Sequence, residues 1–75
     1  MNYKDRIIAN PKVMLGKPVI KGTRITVELI LTKLSDDDTV EGILKSYPHI
    51  TRADIMACIA YAADVISNEA MLDVE

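Results

Sequence analysis

Seventy-five residues make one small domain, and a single cysteine with a single histidine leaves neither an internal disulfide nor a credible metal set to reinforce its core. With 49% hydrophobic residues the composition excludes a disordered chain and favours burial against a second subunit. Net charge is −2, but seven cations face two acids up to Leu34 and nine acids face two cations from Ser35 onward, a split that can steer a polyanion to one end or draw two halves of one fold together.

The start Met1-Asn2-Tyr3-Lys4-Asp5 leads into no apolar signal core, and no run approaches the roughly 18 to 20 apolar residues of a membrane span. The expectation is a cytoplasmic protein with no membrane partner. Arg6-Ile7-Ile8-Ala9 is a short β-branched run closed by the turn opener Asn10-Pro11. Val13-Met14-Leu15 and Pro18-Val19-Ile20 read as similar extended pieces, with Pro18 suited to a strand's first residue or an edge. Lys21-Gly22-Thr23-Arg24 is a turn. Strands this short cannot stand as a sheet alone and need helices or a second chain beneath them.

Thr26 caps a helix over Val27 to Leu34, with Val27, Ile30, Leu31 and Leu34 at i, i+3, i+4 and i+7 and Leu29 off that stripe. Ser35-Asp36-Asp37-Asp38 is a polar loop; consecutive acids rarely converge on one ion, so it reads as a solvated linker. The chain is organised around the stretch from Thr39 to Ile66. Val40, Ile43, Leu44 and Tyr47 repeat the helical stripe, with Glu41 and Lys45 pairing outside. Pro48 stops that helix. Thr51-Arg52-Ala53-Asp54 starts another with a capping box, Asp in place of the usual Glu or Gln. Two helices joined by so short a turn are a helix-turn-helix signature.

From Ile55 to Ile66 only Asp64 is charged, so this helix is apolar nearly all round, more than a small domain can bury by itself. Ile55, Ile59, Ala62 and Ile66 suit the domain's own core; Met56, Ala60 and Ala63 form an adjoining side where small residues permit a second copy to approach. The tail Glu69 to Glu75 presents Met71, Leu72 and Val74 among three acids, a docking segment or a frayed end.

No catalytic constellation is present. His49 has no Ser, Cys or Asp at motif spacing and reads as a polar turn residue; Gly16-Lys17-Pro18 lacks the second glycine and following helix of a phosphate loop; Cys58 sits in an apolar run as a small buried hydrophobe. We therefore expect no enzyme, cofactor, metal or small-molecule substrate. For nucleic acid, the start of the second helix offers Thr51 and Arg52 to base edges, while Asp54 opposes phosphate. Lys17, Lys21 and Arg24 of the basic front add phosphate contacts, or serve only as solubilising charge.

The string Gly16-Lys17-Pro18-Val19-Ile20-Lys21-Gly22-Thr23-Arg24-Ile25, followed by Ile43-Leu44, Tyr47-Pro48, Ile50-Thr51, Asp54-Ile55 and Ala60-Tyr61-Ala62, resembles the small bacterial and archaeal proteins called DUF433. The likeness runs from about Arg6 to Asp64. It implies a mainly α fold with a short N-terminal β segment and a homeodomain-like or winged helix-turn-helix; the apolar helix and the short strands separately predict a homodimer. Residues 1–25 would be strands and turns, 26–66 the three-helix region and 67–75 a tail, all in one domain. The resemblance further implies an antitoxin that neutralises a PIN-like toxin, a ribonuclease encoded beside it; binding of operator DNA through Thr51, Arg52 and the basic front is a separate expectation. The matched residues read as structural: glycines for turns, apolar side chains for a β layer, and Arg24 for capping or pairing with an acid of the helical half. Thr39-Val40 stands where the family usually has Ser-Pro, and Asp36 to Asp38 are more acidic than its usual loop.

Overall fold

A computed structural model describes residues 2–68, so the tail candidates Met71, Leu72 and Val74 lie outside the described residues. The architecture is mainly helical with a two-stranded antiparallel sheet. Strands β1 (Ile7–Ile8) and β2 (Val19–Ile20) precede helices α1 (Val27–Ser35), α2 (Val40–Ser46) and α3 (Arg52–Ser67).

β1 and β2 pair with Ile7 opposite Ile20 and Ile8 opposite Val19, and the pairing is extended by Lys21 N–H donating to Arg6 O at 2.7 Å. An antiparallel partner forces the chain to reverse between Ile8 and Val19. The expected extended piece at Val13-Met14-Leu15 is accordingly a turn: Val13 N–H returns to Asn10 O, and Met14 to Gly16 form a single 3-10 turn. Met14, Leu15 and Gly16 all have positive φ there, at 48°, 59° and 82°. Only Gly16 adopts that region freely. On its other side β2 meets the entry to α1, with Val19 bridging Thr26 and Val27 N–H donating to Pro18 O at 3.0 Å.

Each helix begins on a threonine hydroxyl that accepts an N–H left without an intrahelical partner. Thr26 takes the Leu29 N–H at 3.0 Å, Thr39 the Gly42 N–H at 2.9 Å, and Thr51 the Asp54 N–H at 3.2 Å. The capping box at Thr51 is complete, since an Asp54 carboxylate oxygen accepts the Thr51 N–H at 2.9 Å. The apolar positions of the stripes converge: Ile7 and Ile20 from the sheet, Ile30 from α1, Ile43 from α2, and Ile55 and Cys58 from α3 are all buried. Val40, Leu44 and Tyr47 pack against this cluster from the rim, and Leu29, off the α1 stripe, is exposed.

α3 departs from expectation in which face it buries. Ile55 is inside, but Ile59 is 41% and Ile66 72% exposed. The covered side runs through Ala57, Cys58, Tyr61 and Ala62 instead. Length explains part of this: sixteen residues span about 24 Å against about 14 Å for the nine of α1, and every described residue from Ala63 onward is exposed. The N-terminal segment straps α3 at two points. Tyr3 packs edge-on to Tyr61 with ring centroids 5.4 Å apart and donates its hydroxyl to Asp64, and Arg6 Nη1 donates to Asp54 Oδ1 at 3.1 Å.

Candidate nucleic-acid and partner interface

The link between α2 and α3 is held from inside. Tyr47 N–H closes on Ile43 O and Ile50 N–H on Tyr47 O, the buried Ile50 side chain anchors the turn, and Pro48 and His49 are left in solvent. Thr51 has its N–H and one hydroxyl lone pair committed to the capping box, which leaves its O–H free to donate outward. Arg52 Nη1 donates to Glu41 Oε1 at 3.2 Å, with both side chains more than 60% exposed. The Glu41 carboxyl is held below the usual carboxylate range, first by a hydrogen bond from its own N–H and then by Arg52. A pair so exposed is worth little and is readily exchanged for a phosphate. Glu41 thus meets Arg52, rather than the Lys45 that helical spacing offered it.

The turn after β2 is rigid. Thr23 Oγ1 donates to Ile20 O at 2.7 Å and accepts the Ile25 N–H at 3.0 Å, while Gly22 supplies the positive φ of 81° that closes the turn. Lys21 and Arg24 are exposed on it. Arg24 borders a shallow groove of about 390 Å³ shared with Ile8, Val13 and Thr23. Because Lys21 is bonded through its main chain to Arg6, and Arg6 holds Asp54, this turn sits beside the first turn of α3. Lys21 is thereby linked through Arg6 to Asp54 in the first turn of α3, where Thr51 and Arg52 also lie, and Arg6 offsets the Asp54 carboxylate that opposes phosphate there; Arg24 lies instead with Ile8 on the hairpin's other face. Lys17 does not join them. Its Nζ donates to Glu28 Oε1 at 3.0 Å on α1, and its neighbour Pro18 lines a groove with Tyr61, Ala62, Val65 and Ile66, at the far end of α3. The pairing with an acid of the helical half that Arg24 was expected to make is made by Arg6, which sequence spacing alone does not single out.

Two apolar surfaces are uncovered. One is the outward side of α3, where Ala60 is half-buried and Ala63 exposed, joined by Ile59, which was expected in the core; Met56, the third candidate there, packs against the core from its rim. The other is a groove of about 440 Å³ between α1 and the C-terminal half of α3, walled by Leu31, Tyr61, Val65 and Ile66. Leu15, 94% exposed at the tip of its left-handed turn, is a third apolar feature that the β-like run concealed. Cys58 lines none of these; burial, with the Asp54 charge adding, pushes its thiol up to about 11, which removes the thiolate that reactivity requires. Among the described residues no group of three His, Cys, Asp or Glu side chains could hold a metal ion, and no helix is long and apolar enough to cross a membrane.

The result is a three-helix domain strapped by a hairpin of two-residue strands, with a basic turn after β2 and apolar helix surface uncovered along α3. Comparison with known proteins gives the family. Residues 7–62 match the model of the family described as "Protein of unknown function (DUF433)", and the chain belongs to that family. It is also similar to a protein of Archaeoglobus fulgidus described as uncharacterized, 62% identical over 24 residues that make up 32% of this chain and 67% of that protein. No solved structure matches it.

Proposed function

We propose that this chain is an antitoxin-type protein of the cytoplasm, a homodimer that binds and neutralises a PIN-like toxin nuclease and binds operator DNA through a homeodomain-like or winged helix-turn-helix formed by α2, the Tyr47–Thr51 turn and α3. The observation that carries the reading is the apolar surface left uncovered on α3 and in the α1–α3 groove, which a solitary domain of this size gains nothing by exposing. The nuclease takes the groove walled by Leu31, Tyr61 and Val65, with Met71, Leu72 and Val74 of the tail completing the contact. At the opposite end Lys21 and Arg24 contact phosphates while Thr51 and Arg52 face the bases.

Co-expression with the nuclease encoded beside it tests the role: the complex co-purifies and the growth arrest caused by the nuclease is relieved. A chain that recovers no nuclease and relieves no toxicity removes the antitoxin reading. The basic turn beside Arg52 supports a second reading, a stand-alone DNA-binding regulator. Gel shifts with the upstream region across a salt series separate the two, since specific, salt-dependent binding without any nuclease partner leaves only the regulator. A protein-only adaptor shows no DNA binding even at low salt.

A further inference from the structure

The reversal between β1 and β2 holds one apolar side chain out in solvent. Leu15 is 94% and Met14 43% exposed, and both sit at positive φ, 59° and 48°, a region that residues with a side chain enter at a cost. The turn is nonetheless fixed. Lys12 N–H donates to Asn10 Oδ1 at 2.9 Å, Val13 N–H to Asn10 O at 2.8 Å, Gly16 N–H to Val13 O at 3.0 Å and Lys17 N–H to Met14 O at 3.1 Å. Leu15 is therefore presented rigidly, yet buries nothing in its own chain. Beside it, Met14 and Leu29 line a hollow of about 260 Å³ that shares Glu28 and Thr32 with the α1–α3 groove, so hollow and groove flank one ridge of α1. No acid occurs from Arg6 to Val27, and Lys12 and Lys17 stand on either side of the tip in the chain. Lys17 is held by Glu28 in a pair 54% and 70% exposed, readily exchanged for another carboxylate.

We propose that this turn is the anchor on which the partner nuclease is held: Leu15 enters an apolar pocket of the nuclease, and Lys12 and Lys17 meet carboxylates at the rim of that pocket. The proposal rests on the antitoxin reading and deepens it, since it extends the partner's contact from the groove across Glu28 and Thr32 to the turn. Size and charge select a protein with an acidic rim over the other occupants. A bilayer is disfavoured by area, because one leucine and half a methionine offer far less apolar surface than a single myristoyl chain, which alone holds a protein to lipid only marginally. Duplex DNA is disfavoured because two cations beside Glu28 neutralise too few phosphates. A second copy meeting turn to turn would set Lys12 and Lys17 against their own counterparts across a two-fold axis. A pocket in a folded protein asks only for one protruding side chain. A turn already closed by its own hydrogen bonds gives up little conformational freedom when that side chain is buried.

The test is a calorimetric titration of the full chain against the purified nuclease encoded beside it. Leu15→Asn, which suits the left-handed backbone, raises the dissociation constant at least about 10-fold without lowering Tm, and Leu15→Met returns it to within about 3-fold of the native value. Lys12→Glu weakens binding and leaves it less sensitive to salt than the native chain's. Lost affinity with unimpaired stability is a signature that a merely structural residue does not give. Unchanged affinity in Leu15→Asn, where the native chain binds, overturns the anchor and leaves the antitoxin reading standing; a native chain that binds no nuclease overturns both. Vesicles of phosphatidylcholine and phosphatidylserine and a duplex of the upstream region are titrated alongside. Loss of either binding in Leu15→Asn, with nuclease affinity intact, assigns the turn to that ligand and overturns the proposal.

Discussion

Asp54→Ala is the substitution that most directly tests how the two charge-segregated halves are joined. The carboxylate accepts from the Thr51 N–H at 2.9 Å and from Arg6 Nη1 at 3.1 Å, and its side chain is only 14% exposed. Losing its half of the capping box costs about 1 kcal/mol, losing a negative charge at the helix start about 0.5 kcal/mol, and losing the Arg6 contact about 0.5 kcal/mol, because the 42% exposure of Arg6 lets solvent screen it. The total of about 2 kcal/mol is a large share of the roughly 4 to 11 kcal/mol expected for a domain of this length. It corresponds to a fall in Tm of about 8 to 16 °C. Thermal and urea unfolding followed by circular dichroism give the value, and Asp54→Asn, which keeps an acceptor for Thr51 but no charge, falls by about half as much. A double-mutant cycle with Arg6→Ala isolates the strap, with an expected coupling of about 0.5 kcal/mol. A loss below about 0.5 kcal/mol for Asp54→Ala would refute the reasoning, since it would mean that neither cap nor strap holds the hairpin onto α3.

The other predictions concern single features. Leu15→Asn relaxes a left-handed residue whose side chain buries nothing, and raises stability by about 0.5 to 1 kcal/mol in urea titration; a loss would show that Leu15 is packed in solution. The Cys58 thiol is raised in the folded state, so folding favours its protonated form. The stability it contributes is whole below the unfolded value near pH 8.5 and is lost as pH rises toward about 11, at no more than about 1.4 kcal/mol per unit. Cys58→Ala removes that part of the alkaline slope in melts run between pH 7 and 11, and an unchanged slope would contradict it. In gel shifts, Lys21→Ala and Arg52→Ala each reduce the salt slope of DNA binding by about one, while Lys17→Ala leaves it unchanged because Lys17 sits at the other end of the molecule; equal effects of all three would undo the division of the basic residues.

Residues alone made legible whatever depends on neighbours in the chain. The caps at Thr26 and Thr51, the capping box at Thr51 and Asp54, the stop at Pro48 and the stripes of α1 and α2 are local, decided within a turn or two, and they stand where spacing put them; the Thr39 cap is equally local but was not read from the sequence. Long-range choices were not legible. Val13-Met14-Leu15 has the composition of a strand, but pairing β1 with β2 needs a reversal at that place, and tertiary demand outweighs β propensity. In α3 an almost uncharged sequence offers no polar side to orient it, so nothing in the pattern separated Ile55, which is buried, from Ile66 on the same stripe, which is not. For the candidate interface, spacing proposed five cations and hydroxyls but not their grouping. That depended on Lys21 bonding to Arg6 and Arg6 reaching Asp54, a chain of contacts across 48 residues of sequence.

The same contacts bear on how a partner at one surface could be felt at another. Arg6 and Tyr3 tie the N-terminal segment to α3 at Asp54 and at Asp64, nearly three turns of helix apart, so the hairpin carrying Lys21 and Arg24 is joined to α3 at two points. α3 in turn supplies one wall of the α1–α3 groove and carries Arg52 at its head. On the proposed function, a ligand that shifts α3 relative to α1 when it fills the groove moves Arg52 with it and so alters DNA binding. A ligand that leaves α3 in place has no differential contact through which to act. Coupling between nuclease and DNA binding thus reduces to one measurable quantity, the affinity for DNA with and without the nuclease, and Arg6→Ala, by loosening the strap, lowers that ratio toward one while changing nuclease affinity little.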